Sequence, residues 1–130
     1  AAFLSLLILF MMLGGCRMIK IEEAERTPLK YTVADRSQIP EEAAKLIEEK
    51  KEKEFQMVYQ KGEDLYLIKG YGRQMSGGYS IQVTDLSASV NAVFFETKLI
   101  GPTEEVQGGE PSYPYIVVKT EYRDVPVQFR

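Results

Sequence analysis

The sequence predicts an α+β domain with one helix and a mainly antiparallel sheet of six to seven strands, either curved or folded into a sandwich. Two observations support this prediction. The segment 37–53 has the apolar spacing and charge distribution of a helix. After residue 54, apolar and polar residues alternate or form short apolar runs between turn residues. The chain shows no βαβ alternation and no internal repeat, so a parallel sheet is not expected.

The first fifteen residues, AAFLSLLILFMMLGG, contain no charge and one hydroxyl, Ser5. This run is shorter than the roughly 20 residues of a membrane span and matches the apolar region of a secretory signal. It ends at Leu13-Gly14-Gly15-Cys16, which resembles the lipobox of bacterial lipoproteins, where the cysteine carries a diacylglycerol thioether. We therefore expect a lipoprotein signal peptide at 1–15 and lipidation at Cys16.

The leader also predicts a location. Neither Met nor a basic n-region precedes the apolar run, so we expect the chain to begin inside a longer precursor. Two or more acyl chains on Cys16 would hold the domain stably at the outer face of the bacterial cytoplasmic membrane or in the cell envelope. The alternative is an uncleaved anchor helix with an incidental cysteine, which also places the domain outside the cytoplasm. Because Cys16 is the only cysteine, we expect neither disulfides nor thiol chemistry.

The next segments predict a tether, a short strand and the helix. Residues 16–29 are polar and charged without a sustained period, which suits a lipid-attached tether before a single domain at 30–130. A strand is expected at 31–34. Ser37 is the predicted helix cap, Pro40 suits the first turn, and acidic residues precede lysines as the helix dipole favours. An apolar stripe for packing on a sheet is formed by Ala43, Ala44, Leu46 and Ile47.

The remaining strands are expected between turn signals. They are predicted at 55–60, 65–69, 81–83 and 90–100, and in the segments YPYIVVKTEY and VPVQFR. The segment LYLIKGYG is apolar on both faces, which predicts a central strand. The segments DLSASVN and GPTEEVQGGEPS are predicted to be loops.

Composition excludes several kinds of chemistry. The chain has no histidine, so Ser-His and Cys-His dyads and histidine metal sites are excluded. Its 16 basic and 19 acidic residues give a net charge of −3 without a basic cluster, which argues against nucleic-acid binding. The adjacent glutamate pairs do not face one another on a helix and are interpreted as solvated charge. A Ser-Lys hydrolase stays open, although no Ser-x-x-Lys spacing follows the leader. We expect no enzyme, no metal and no cofactor.

The segment RQMSGGYSIQV has two interpretations. As a turn, its glycines supply positive φ and form a hairpin signal, Tyr79 caps a strand, and Ile81 and Val83 face the core. As a binding loop, the segment is bracketed by Gly70, Gly72, Gly77 and Gly78 and presents residue types favoured at interfaces. The candidate protein-binding residues in this loop are Tyr71, Arg73, Met75, Ser76, Gly77, Gly78 and Tyr79.

A second candidate element is Tyr113-Pro114-Tyr115, at the end of a loop with glycines on both sides. Tyrosines at 113 and 115 suit an interface, but Tyr also has high strand propensity and Pro is tolerated where a strand begins. Both interpretations stay open. Together with the first loop, this element predicts a protein-binding edge.

The segment from Leu65 to Val118 resembles the C-terminal domain of the protease complex subunit PrcB family. The resemblance rests on LIKGYGRQMSGGYSIQV, followed by IGPTEEVQGGEPSYPYIVVKT. In the family, a Thr-Gly-Gly-Tyr element opens one strand and a Tyr-Pro-Tyr element opens another. Here Ser76 stands where Thr is usual and Met75 where Pro is usual. The resemblance implies a non-catalytic lipoprotein that assembles with, or stabilises, a surface protease.

A weaker resemblance supports an alternative function. The glycine-containing loop is similar to the Asn-Pro-Thr-Thr-Gly-Tyr loop of chagasin-like cysteine-protease inhibitors, in which a β-sandwich presents loops to an active-site cleft. This chain lacks the Asn, the Pro and the first Thr of that loop, and it contains no Trp. Protease inhibition is therefore the alternative to assembly.

Overall fold

The computed structural model describes residues 25–103 and 109–130, so Cys16 and the predicted signal peptide lie outside the described residues. Eight strands and one α-helix occur in these ranges. They are β1 (Thr27–Pro28), β2 (Tyr31–Val33), α1 (Glu41–Lys50), β3 (Glu54–Lys61), β4 (Asp64–Tyr71), β5 (Ser80–Ala88), β6 (Val93–Ile100), β7 (Tyr115–Glu121) and β8 (Val127–Phe129). A 3-10 turn, Arg36–Gln38, connects β2 to α1.

The strands form two four-stranded sheets. Sheet A has the order β1-β5-β6-β8, and sheet B has the order β2-β7-β4-β3. All neighbouring strands are antiparallel except β6 and β8, which pair in parallel over three residues. The predicted α+β class, with a mainly antiparallel sandwich and one helix, is confirmed.

The main hydrophobic core lies between the two sheets. Sheet B contributes alternate residues of β4 and β7, and sheet A contributes residues of β5 and β6. The buried members of this core are Leu65, Leu67, Ile116, Val118, Leu86, Ala88, Val93 and Phe95. Burial of these apolar side chains provides the main driving force for packing the sheets.

A second cluster joins α1 to the outer face of sheet B. Ala43 and Ile47 are fully buried against Tyr66, Ile68 and Val117. Strand β4 therefore has buried side chains on both faces, as predicted for a central strand. The apolar face of α1 is narrower than predicted, because Leu46 is 36% exposed.

The helix begins differently from the sequence prediction. Ser37 does not cap α1, because it lies in the preceding 3-10 turn, and Pro40 occupies the N-cap position of α1. Asp35 caps the 3-10 turn by accepting a hydrogen bond from the Ser37 N–H at 3.0 Å, and the Gln38 Oε1 accepts one from the Asp35 N–H at 3.1 Å. The polar sequence before the helix thus caps the 3-10 turn and not the helix.

Strand β5 extends further than predicted. The segment DLSASVN was expected to be a loop, but β5 continues through Ala88. A register shift between Val83 and Asp85 breaks the alternation, so that Leu86 and Ala88 face the core after the shift. The core-facing residues of β5 are therefore odd-numbered before the shift and even-numbered after it. A search for strict alternation does not recognise these two halves as one strand.

The first strand also lies outside the predicted strands. Thr27 and Pro28 pair with Ser87 and Ala88 of sheet A, within the segment 16–29 that we predicted to be a tether. The next residue, Leu29, packs against the main core.

In the described ranges 25–103 and 109–130, no helix has the length and apolar character needed to span a bilayer.

Candidate protein-binding edge

The predicted binding loop begins later than the sequence suggested. Gly70 and Tyr71 belong to β4, where they pair with Phe55 and Glu54, so they do not bracket the loop. The connection between β4 and β5 is residues 72–79, called here the glycine loop. It passes from sheet B to sheet A, so the hairpin signal of the turn interpretation does not correspond to a hairpin between β4 and β5.

The glycine loop is fastened to the segment before β7 by hydrogen bonds. The Gln74 N–H donates to the Ser112 carbonyl at 2.8 Å, and the Ser112 N–H donates back at 3.1 Å. The Ser112 hydroxyl also donates to the Ser76 carbonyl at 2.6 Å. We call the glycine loop together with residues 109–115 the loop edge. Its two segments come together although they are more than thirty residues apart in the chain.

Only one position of the Gly-Gly pair has a backbone conformation that favours glycine. Gly78 has φ +87°, and a Cβ added there would lie 3.0 Å from the Cβ of Pro102. Gly77 has no positive φ and open space around its Cβ position. The Tyr79 ring lies 3.6 Å from the Cβ position of Gly101. Gly78 therefore permits the close approach of the glycine loop to the residues after β6.

The side chains of the glycine loop differ widely in exposure. Met75 is 81% exposed, the most exposed of the large apolar side chains in the described residues. Arg73 is also exposed, whereas Ser76 and Tyr79 are half-buried. After Gly78, Ile81 and Val83 pack against the core as the sequence predicted. The loop thus makes a turn and also presents Met75 to solvent.

Tyr71 has a structural contact at the base of the glycine loop. Its hydroxyl lies 2.6 Å from the Oγ1 of Thr97 in sheet A. Its carbonyl accepts a hydrogen bond from the Gln74 side-chain amide at 3.0 Å. Tyr71 therefore positions the loop edge from below, with its side chain half-buried.

The Tyr113-Pro114-Tyr115 element has features of both interpretations. Tyr115 begins β7 and packs against the cluster under α1. Pro114 precedes the strand, and its carbonyl accepts a hydrogen bond from the Tyr71 N–H at 3.0 Å. Tyr113 is half-buried, with the Lys51 Nζ 5.2 Å from its ring centroid. The element therefore starts a strand and also adds aromatic surface to the loop edge.

A groove of about 400 Å³ lies beside this element. Its lining includes Asp35 and Arg36, which sequence reasoning did not assign to the site. They reach the groove because β2 separates from β7 after Ala34, whose N–H bonds to the Val117 carbonyl at 2.9 Å. The sequence feature that could have indicated these two residues is their position in the short connection between the strand predicted at 31–34 and the helix. The other lining residues are Val33, Ala34, Ile39, Tyr113, Pro114, Tyr115, Ile116 and Val117.

Two charged residues near the loop edge, Lys51 and Asp35, have local hydrogen-bond partners. A hydrogen bond to Glu48, at 2.7 Å, raises the pKa of Lys51. The hydrogen bond from the Ser37 hydroxyl is the largest cause that holds the pKa of Asp35 below its ordinary value. Among the described residues, no group of three or more carboxylate or cysteine side chains could hold a metal ion.

Comparison with known proteins gave one family. Neither the curated proteins nor the solved structures gave a match. Residues 65–121, from the start of β4 through β7, match the family model described as PrcB C-terminal. This range contains the whole loop edge and includes β4, β5 and β7, which flank its two segments. The resemblance predicted from the sequence is thereby confirmed over residues 65–121.

Proposed function

We propose that the chain is a lipid-anchored, extracytoplasmic, non-catalytic binding module that assembles with or stabilises a surface protease or another envelope protein. The family match supports association with a protease complex. The loop edge is the proposed contact surface. Its central residues are Arg73, Met75, Tyr79 and Tyr113.

The exposed Met75 on a fastened loop is the observation that carries this proposal. Methionine adapts to irregular apolar surfaces and is frequent at binding sites. The flanking residues Gln74 and Ser76 are hydrogen-bonded to Ser112, so the loop is ordered before a partner binds. A preorganised loop loses less conformational entropy on binding than a flexible loop. The loop edge thus combines an apolar contact with a defined backbone.

The location and the absence of catalysis have separate support. The apolar run before Cys16 and the lipobox-like residues support a lipid anchor and attachment at the cell envelope. The lack of histidine removes the most common general base, which supports a binding role.

The test is a crosslinked pull-down from membranes that compares wild type with Met75→Lys. Met75→Lys places a charge on the exposed loop, and we expect it to lose the specific partner while the thermal melting temperature is unchanged. Val90→Lys is the matched control, because Val90 is 77% exposed in the β5–β6 connection. That connection lies at the opposite end of these strands from Ser80 and Ile100. Equal capture by both variants would contradict the proposal.

Addition of purified protein to the captured protease separates assembly from inhibition. An assembly subunit leaves protease activity unchanged or raises it. Loss of activity at one-to-one stoichiometry would instead support the inhibitor alternative. Hydrolysis by the purified chain, abolished by one side-chain truncation in a folded protein, would contradict the non-catalytic role.

A further inference from the structure

Strand β3 forms one edge of sheet B in the part of the chain that the structure describes. It pairs with β4 through eight successive residues, Glu54–Lys61, without a break in register. The strand contains no proline, and its central residues 56–60 carry no charge. Proline, bulges and central charges are the features that protect sheet edges from further pairing. Strand β3 lacks all three.

The outward backbone groups of β3 follow from the hydrogen bonds on the other side of β4. The Tyr71 N–H bonds to the Pro114 carbonyl, and the Tyr122 N–H bonds to the Glu63 carbonyl. The odd-numbered residues of β4, and Glu63 just before it, therefore direct their backbone N–H and C=O groups toward β7. The even-numbered residues of β4 direct theirs toward β3. Through the register of β3 with β4, odd-numbered residues of β3 face β4. The outward N–H and C=O groups belong to Gln56, Val58 and Gln60.

The side chains on the two faces of β3 differ in burial. Phe55, Met57 and Tyr59 pack against the cluster under α1. On the other face, Val58 is 44% exposed because sheet A does not cover the edge of sheet B at this strand. Strand β3 thus combines unpaired backbone groups with an exposed apolar residue at its centre.

We propose that β3 is a pairing edge for a second copy of this chain. The two β3 strands would run antiparallel about a two-fold axis perpendicular to sheet B. This symmetry pairs residues of equal parity, so the outward groups of one copy meet those of the other. Val58 then lies opposite Val58 of the second copy, and Gln56 lies opposite Gln60. The result is one continuous eight-stranded sheet across the dimer.

Charge complementarity selects this register and a second copy as the occupant. With Val58 at the centre, the end of β3 in one copy meets the start of β3 in the other, which brings Glu63, in the turn after one strand, near Lys53, just before the other strand. A shift of two residues in one direction places Lys53 opposite Lys61, where like charges repel. A shift in the other direction separates Lys53 from Glu63 and shortens the paired segment. Lys53, Lys61 and Glu63 are all exposed in the single copy.

This pairing is independent of the loop edge and of the proposed function. Its test is sedimentation equilibrium of the full chain in detergent, with a reductant present so that Cys16 cannot link two copies. We expect a concentration-dependent dimer. Val58→Pro removes two intermolecular hydrogen bonds, one from each copy, and should raise the dissociation constant about thirtyfold. Val58→Thr keeps the amide and the branched shape and should remain near wild type.

The monomer fold should tolerate Val58→Pro, because the Val58 N–H faces away from β4 and proline is accepted on such edges. A second set of variants tests the register without proline. Lys53→Glu and Glu63→Lys should each weaken the dimer, and the double variant should restore it. The proposal would be overturned by a monomer at all concentrations, by a dimer that resists Val58→Pro, or by charge variants that the double change does not rescue.

Discussion

The hydroxyl of Tyr71 lies 2.6 Å from the Oγ1 of Thr97, so the last residue of β4 in sheet B is hydrogen-bonded to β6 in sheet A. The bond is partly buried and lies directly below the glycine loop. It therefore links the alignment of the two sheets to the position of the loop edge.

Tyr71→Phe should lower the free energy of unfolding by about 1 kcal/mol, the usual net value of one hydrogen bond. The ring and its packing remain, so the loss reports the hydroxyl alone. Thr97→Val should give a similar loss, and urea unfolding of both single variants and the double variant measures the coupling. Fully additive effects would show that the two side chains do not stabilise each other.

Gly78→Ala and Gly77→Ala should differ although the residues are adjacent. Gly78 has φ +87°, and a Cβ there would also lie 3.0 Å from the Cβ of Pro102, so alanine should destabilise the fold by about 1 to 2 kcal/mol. Gly77 has neither restriction, and alanine there should be neutral or slightly stabilising. Chemical denaturation of the two variants measures the difference. Equal losses would contradict the assigned roles of these glycines.

Ser112→Ala should loosen the loop edge without changing global stability much. It removes the 2.6 Å hydrogen bond to the Ser76 carbonyl. We expect the Gln74 amide, which bonds to the Ser112 carbonyl, to exchange with solvent about fivefold faster. Residue-resolved hydrogen exchange measures this change, and Ser80→Ala is the control because Ser80 is exposed at the start of β5. Unchanged exchange at Gln74 would show that the backbone bonds alone hold the loop.

The cap of the 3-10 turn should make stability depend on pH in the acidic range. The Ser37 hydroxyl, 2.6 Å from the Asp35 carboxylate, is the main cause that lowers the pKa of Asp35 from 3.8. The stability that the ionised carboxylate contributes is present above the unfolded-state pKa. It is lost as the pH falls through the lower folded-state pKa.

Asp35→Asn should therefore be less stable than wild type at about pH 6 and nearly equal to it at about pH 2. Urea unfolding at both pH values measures the two differences. Glu41→Gln is the matched control, because Glu41 is an exposed carboxylate in the first turn of α1. A stability difference for Asp35→Asn that persists unchanged at low pH would contradict the role of the carboxylate.

Local patterns predicted the helix and the central strand because their signals lie within a short stretch of sequence. The segment Leu65–Ile68 is apolar at successive positions, which requires burial on both faces, and β4 has this burial. The charges and apolar spacing of this segment predict the helix. They do not predict that Ser37 lies in a 3-10 turn instead of capping the helix, because 3-10 and α turns use the same polar residues.

Features that depend on distant contacts could not be predicted from local patterns. Thr27 and Pro28 form β1 only because β5 offers an edge about sixty residues later. Similarly, Gly70 suggested a loop boundary, but it lies inside β4, where the Phe55 ring occupies the space that a larger side chain would need. The sequence predicted two tyrosine-containing loops at the loop edge. It gave no indication that hydrogen bonds of Ser112 would join them.

The pairing of β2 with β7 has a consequence for how quickly the protein folds. Tyr31 pairs with Thr120, and the Thr120 hydroxyl donates to the Lys30 carbonyl across 90 residues of chain. Such distant contacts close large loops and slow the search for the native topology, so we expect refolding in milliseconds to seconds. Because β2 contributes only three residues, it should join after β7 has paired with β4. Refolding that is complete within the dead time of stopped-flow mixing would contradict this expectation.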